Sequence, residues 1–280
     1  MRWSVDKLPR FVAQVAGIAL LGVLAGRGAT PVRAARADKQ PTLRVFAAAS
    51  LADAFTQLGR ALERQRPGLR VVFNFAGSQQ LATQLEQGAV ADVFASADER
   101  WLNHVRDFGL IAGASPTFAR NRLVVIVPLA NPARITGLQD LARPGVKLVM
   151  GGDAVPVGRY GRTVLANLAR DPAFGKDFAP RTLRNVVSEE ENVGAVVGKV
   201  QLGEADAGVV YRSDVTPAVA RYVRIVEIPD SANVIACYPI AVLMGAPRPE
   251  DARAFVALVT SGVGRGILLR CGLIPAGTGL

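Results

Sequence analysis

The chain has 280 residues, 50% of them hydrophobic and 20% charged, with 33 Lys/Arg against 23 Asp/Glu for a formal net charge of +10. That is enough apolar material for one large or two medium domains. Two cysteines and a single histidine exclude a standard zinc site.

The first segment, "MRWSVDKLPR", is basic, and the apolar run "FVAQVAGIALLGVLAG" after it is broken only by Gln14. Arginines and the small-x-small triplet "ARA" close it, which is the pattern of an export signal. The run is shorter than the roughly 20 residues a membrane span needs. Residues 1–37 are therefore expected to be removed by cleavage near Ala37, and the lack of a cysteine after the run argues against a lipid anchor. They hold six Lys/Arg (Arg2, Lys7, Arg10, Arg27, Arg33, Arg36) and one acid (Asp6), so the net charge falls from +10 to +5. The remaining basic residues are scattered and not interleaved with aromatics, which argues against a nucleic-acid partner. Cys237 and Cys271 would sit in an oxidising compartment, where a disulfide and two buried small hydrophobes are both open readings.

Beyond residue 40 strand-like runs alternate with helical patterns, the mark of α/β layering. "TLRVFAAA" reads as a strand, and Leu51, Ala54, Phe55, Leu58, Ala61 and Leu62 then fall on one helical face. Pro67 and Gly68 end that helix, "LRVVFNFA" is the second strand, and a second helix runs to about Gly88. "ADVFASADERWLNHVRDFG" repeats the unit, with Ser96 or Asp98 as its cap. "NRLVVIVPLANP" is a strong strand, and "KLVMGGDAVPVGRYGRTVLANL" gives strand, glycine-rich loop and helix. "VVSEEENVGAVVGKVQLGEADAGVVY" gives a helix and then a short strand reaching Tyr211. "ANVIACYPIAVLMG" is a long strand, and two helices follow from about Glu250. Apolar runs without clean alternation fit strands covered on both faces, hence mostly parallel sheets, whose ligands bind beyond the carboxyl ends of the strands.

Enzyme chemistry finds little support. His104 lies on a predicted helix with no partner motif, no G-x-S-x-G elbow surrounds Ser50 or Ser78, and no P-loop occurs. "GVGRG" (residues 262–266) follows a helix rather than a strand and reads as an inter-helix loop. Binding reads better. Four joins feed a helix start with small or hydroxyl residues: Ala49-Ser50, Gly77-Ser78, Val157-Gly158 and Asn192-Val193. Helix N-termini expose unpaired N–H groups and a partial positive charge, which suits an anion. Each join is also satisfied by a plain N-cap that needs no ligand.

In order, "VFAAASLADAF", "FAGSQQLATQLEQGAVADVFASAD", "NRLVVIVP", "ENVGAVVGKVQLGEADAGVVYRSD" and "YPIAV" resemble the periplasmic molybdate-binding (ModA-like) protein family of ABC importers, over essentially all of residues 41–275. The resemblance implies the α/β, two-lobed fold of type II periplasmic binding proteins, each lobe a mostly parallel sheet flanked by helices. Lobe one would comprise residues 38–122 plus 238–280 and lobe two residues 123–237, joined by two hinge crossings at "LVVIVP" and "CYPIAV". It further implies a periplasmic receptor, acting as a monomer, that binds molybdate or tungstate and hands it to an ABC permease in the inner membrane. The family grips its anion with two serines, two backbone amides and a tyrosine hydroxyl. These map onto Ser50 and Ser78, the amides of Val157 and Val193, and Tyr211, with no cofactor and no metal ligated directly by a side chain.

The residues themselves leave two of these positions open. Ser188-x-x-Glu191 is a capping-box pattern that would bury the Val193 N–H in a helix, whereas a cap at Asn192 would leave it free. Tyr211 is equally a strand-end aromatic closing the core. A set of neutral donors suits a doubly charged anion and disfavours hydrogen phosphate, whose proton would meet no acceptor. Arg159 stands beside the Val157 loop; in the cleft it would favour a carboxylate, and elsewhere it would be solvated. The competing expectations are a receptor for another anion such as sulfate, thiosulfate or a small carboxylate, an exported enzyme using either serine as nucleophile, and a sensory domain.

Overall fold

The structure, a computed structural model, describes residues 40–277, so the export signal and its cleavage near Ala37 lie outside the described residues. The first unit runs β1 (Thr42–Ala48), a 3-10 turn (Ala49–Leu51), α1 (Ala52–Gln65), β2 (Arg70–Ala76), α2 (Ser78–Glu86), β3 (Val93–Ala95), α3 (Glu99–Asp107) and β4 (Ile111–Ala112). The long β5 (Thr117–Pro128) leads into β6 (Leu148–Gly151), α4 (Pro156–Leu168), α5 (Phe178–Arg184), β7 (Val186–Glu190), α6 (Val193–Gln201), β8 (Ala207–Tyr211) and β9 (Val223–Glu227). Then come β10 (Ile235–Leu243), α7 (Pro249–Thr260), α8 (Gly262–Arg270) and β11 (Ile274–Pro275).

The strands join in the order β2-β1-β3-β10-β5-β8-β6-β7, with β4 on β10 and both β9 and β11 on β5. β1 pairs in parallel with β2 and β3, and β6 in parallel with β7 and β8. These are the βαβ units that the alternating pattern announced, their apolar runs covered by helices. β5 and β10 are antiparallel to one another, and each then runs on into a different parallel unit. Ile240 of β10 pairs with Ala95 of β3, and Leu123 of β5 with Tyr211 of β8. The antiparallel pairings thus come from the two long strands that serve both units.

The predicted face of α1 is the buried one: Ala54, Phe55, Leu58 and Leu62 are all at most 1% exposed. Phe55 packs its ring 5.6 Å from Phe118 and 5.5 Å from Phe255, so truncating it to alanine would cost about 3–5 kcal/mol. One element differs from its sequence pattern. Residues 186–190 form β7 rather than the start of a helix, with Ser188 in register with Val149 of β6. The Ser188 hydroxyl is taken up by Glu190 (2.6 Å) and Lys199 (2.8 Å), so it caps nothing. Asn192 is the cap instead, its side-chain oxygen accepting the Ala195 N–H at 3.1 Å, and α6 begins at Val193. "GVGRG" opens α8 behind a cap from Ser261, without a preceding strand. Cys237 and Cys271 are both free thiols.

Candidate functional site

The carboxyl ends of β1, β2 and β8 and the starts of α2, α4 and α6 converge on one small cavity. Its lining comprises Ala48, Ala49 and Ser50 after β1, Ala76, Gly77 and Ser78 between β2 and α2, and Ala97 beyond β3. From the other unit come Val155, Pro156 and Val157 at the start of α4, Asn192 and Val193 at the start of α6, and Tyr211 ending β8. All five residues expected to bind, Ser50, Ser78, Val157, Val193 and Tyr211, thus face the same space. About 20 Å³ of it is open to the centre of a water-sized sphere, above the ~10–15 Å³ one water requires. That suits one compact solute.

Neither serine is an N-cap. Ser50 lies in the 3-10 turn ahead of α1, whose cap is Leu51, and Ser78 is the first residue of α2, whose cap is Gly77. The caps of α2 and α4, Gly77 and Val155, have no side chain that could accept an N–H, and α4 opens on Pro156, which has no N–H to satisfy. Among the described residues the N–H groups of Val157 and Val193 have no partner. The first N–H groups of a helix have no partner within it, and here both residues line the cavity.

Close approach of the backbones depends on two glycines. A Cβ at Gly158 would overlap the carbonyl oxygens of Gly151 and Gly152, and one at Gly77 would overlap the Glu191 carbonyl oxygen on the far side of the cavity. The alanines at 48, 49, 76 and 97 keep the remaining wall equally shallow.

Tyr211 is 1% exposed, yet its hydroxyl has no hydrogen-bond partner among the described residues. Leaving such a group unpaired costs about 1–3 kcal/mol. Burial holds its pKa well above the ordinary tyrosine value, so it stays a neutral O–H able to donate. Beneath it, the Tyr211 N–H donates to Asp214 at 2.9 Å. Desolvation pushes the Asp214 carboxyl up to about 7, against the opposing pull of that bond. Ser78 Oγ accepts the Ala97 N–H at 3.0 Å, and Ser50 Oγ lies 3.0 Å from the Tyr238 hydroxyl.

No charged side chain lines the cavity among the described residues. Arg159 does not enter it: its guanidinium bonds the fully buried Asp98 at 2.8 Å and lies over the Tyr160 ring. Asp98 also caps α3 by accepting the Trp101 N–H at 2.9 Å. Further contacts cross the cavity rim. Trp101 Nε1 donates to the Ala154 carbonyl at 2.8 Å, Gln79 Nε2 to the Glu191 carbonyl at 2.6 Å, and Gln80 Nε2 to the Glu191 carboxylate at 2.7 Å. His104 sits away from the cavity on α3, 3.2 Å from Glu86 and between the rings of Trp101 and Phe108. Asp98, Asn121 and Tyr238 are buried polar residues behind the site. In the sequence Asn121 lies between Arg120 and Arg122 and Asp98 before Glu99 and Arg100, so neither stands out there, while Tyr238 lies in an apolar run as a polar group that must find a buried partner.

Parallel strand–helix units joined by two long strands, with a cavity lined by small residues, serines and helix starts at the strand ends, have the architecture of a solute-binding receptor. The model of the bacterial extracellular solute-binding protein family matches residues 43–274, and the chain belongs to that family. It is 45% identical over 228 residues to the molybdate-binding protein ModA of Mycobacterium tuberculosis H37Rv, covering 81% of this chain and 82% of that protein. Among solved structures, the periplasmic molybdate-binding protein of Azotobacter vinelandii superposes with a TM-score of 0.71 at 22% identity, over 83% of this chain and 98% of that one. The sulfate-binding protein SubI of M. tuberculosis H37Rv gives 0.73 at 18% identity, over 85% and 88%. At those identities the two superpositions speak for the fold alone.

Proposed function

We propose that the protein is an exported, periplasmic receptor that binds molybdate, and tungstate with it, and delivers it to an ABC permease in the inner membrane. The observation that carries this is the cavity: two serine hydroxyls, the N–H groups of Val157 and Val193 and the hydroxyl of Tyr211, the last three without a partner and none with a charged side chain beside it in the lining, among the described residues. The identity to the M. tuberculosis molybdate-binding protein supports the ion. Dipoles and hydrogen bonds of this kind replace the hydration shell of a dianion without a fixed cation. With Arg159 held by Asp98, no guanidinium favours a carboxylate ligand.

The binding residues in this proposal are Ser50, Ser78, Val157, Val193 and Tyr211. Residues 38–122 with 238–280 form one lobe and residues 123–237 the other, with β5 and β10 as the hinge and donors drawn from both sides. Ligand then favours the closed arrangement, which the permease reads, and the receptor works as a monomer. Calorimetric titration of the purified protein with molybdate, tungstate, sulfate and phosphate tests the function. Tight binding of the first two with phosphate silent is the expected result; heat from sulfate alone would leave the receptor and replace the ion.

A further inference from the structure

We propose that Tyr238 and Asn121, neither of which lines the cavity, act as a positioning pair that fixes the direction of the Ser50 hydroxyl, so that its proton is turned toward a bound anion. The inference rests on the anion-receptor reading and adds to it a source of selectivity.

The direction follows from proton counting. The backbone N–H of Arg122 can only donate, and it faces Asn121 Oδ1 at 3.0 Å, which fixes the orientation of the amide. Asn121 Nδ2 is then the donor, to Ser213 Oγ at 2.8 Å and, over a longer contact, to the Tyr238 hydroxyl oxygen at 3.4 Å. Tyr238 is 0% exposed, and its hydroxyl has two partners among the described residues, Asn121 Nδ2 and Ser50 Oγ. An amide NH2 cannot accept. The Tyr238 proton therefore goes to Ser50 Oγ, and the Ser50 proton is left for the cavity that residue lines.

Ser78 is set the same way by simpler means, since the Ala97 N–H occupies its oxygen at 3.0 Å. Each serine oxygen thus accepts one hydrogen bond from behind, which leaves its own proton for the cavity. A fully deprotonated oxyanion meets three hydroxyl donors, whereas the proton of a hydrogen phosphate meets hydroxyls whose own protons already point into the cavity. Asn121 lies on β5 and Tyr238 on β10, so the pair is held by the two long strands that join the parallel units.

The test compares sulfate with hydrogen phosphate, anions of similar size that differ in the proton, alongside molybdate at pH 8. Titrations would use the wild type, Tyr238→Phe and Asn121→Ala, with thermal melts reporting folding. Tyr238→Phe frees Ser50 Oγ to accept, so the preference for sulfate and molybdate over hydrogen phosphate is expected to narrow about tenfold or more. Asn121→Ala releases Tyr238 to turn either way and narrows it less, and it decides the matter alone if Tyr238→Phe does not fold. Equal losses for all three anions would mean that the pair only supports packing, and an unchanged ratio would mean that Ser50 needs no orienting; either overturns the proposal. A wild type that ignores molybdate would contradict the proposed function, while the sulfate-to-phosphate ratio would still judge the pair.

Discussion

At the scale of single residues, Tyr211 separates binding from stability. Its buried hydroxyl has no partner among the described residues, so the ligand-free protein bears a desolvation cost that the proposed anion would relieve. Tyr211→Phe is expected to leave the ligand-free melting temperature unchanged or raised while weakening molybdate binding, a pairing read by melts with and without ligand. Ser50→Ala and Ser78→Ala each remove a hydrogen bond to a charged group, worth about 1.5–3 kcal/mol, and should weaken binding about 10- to 150-fold by calorimetry. Asp214 adds a pH signature. Its folded carboxyl lies at about 7 against an ordinary 3.8 in the unfolded chain, so its protonated form favours folding. That contribution is complete below about pH 4 and is lost as pH rises through 7. Asp214→Asn keeps an acceptor for the Tyr211 N–H and should remove this decline, so that melts at pH 5 and 8 differ less in the variant than in the wild type.

Elements decide whether those residues meet. α4 opens against the cavity because Gly158 lets it lie on the Gly151 and Gly152 carbonyls. Gly158→Ala should push the helix start outward and abolish tight binding, while a circular dichroism spectrum shows the helices retained. Asp98 and Arg159 couple α3 to α4, and Asp98 is fully buried in that pairing. Arg159→Met would leave a buried carboxylate without its cation and favour any arrangement in which Asp98 meets water. Apparent affinity is expected to fall about tenfold, with the cavity residues untouched. An unchanged affinity would show that the rim contacts do not bear on closure. The strand–helix joins were legible in the sequence because small residues, caps and helix stripes are local features. β7 was not, because Val186–Glu190 is rich in glutamate and Ser188-x-x-Glu191 satisfies a capping rule equally well. Only the pairing of Ser188 with Val149 distinguishes the two, and that is a contact between distant segments. The antiparallel course of β5 and β10 was hidden for a related reason: apolar runs report burial on both faces and are silent on direction.

For the whole molecule, the five candidate binding residues come from segments spread between residues 50 and 211, and they reach one cavity only through the sheet order. Their positions were legible through likeness to a family rather than through local chemistry, since a serine at a helix start and a tyrosine at a strand end each have a plain structural use. The partners behind them were not legible. Tyr238 lies 188 residues from Ser50 and 117 from Asn121, and nothing local ties the three together. A receptor of this build gains stability with the logarithm of free-ligand concentration, by about 2.7 kcal/mol at a hundred times the dissociation constant. Molybdate should therefore raise the melting temperature where phosphate does not. The most direct measurement is the anomalous scattering of molybdenum in crystals grown with molybdate. The account predicts one strong peak within hydrogen-bonding distance of Ser50, Ser78, Tyr211 and the amides of Val157 and Val193. A peak elsewhere, for instance in the arginine-lined groove of Arg143, Arg181 and Arg184, with the cavity empty, would contradict it.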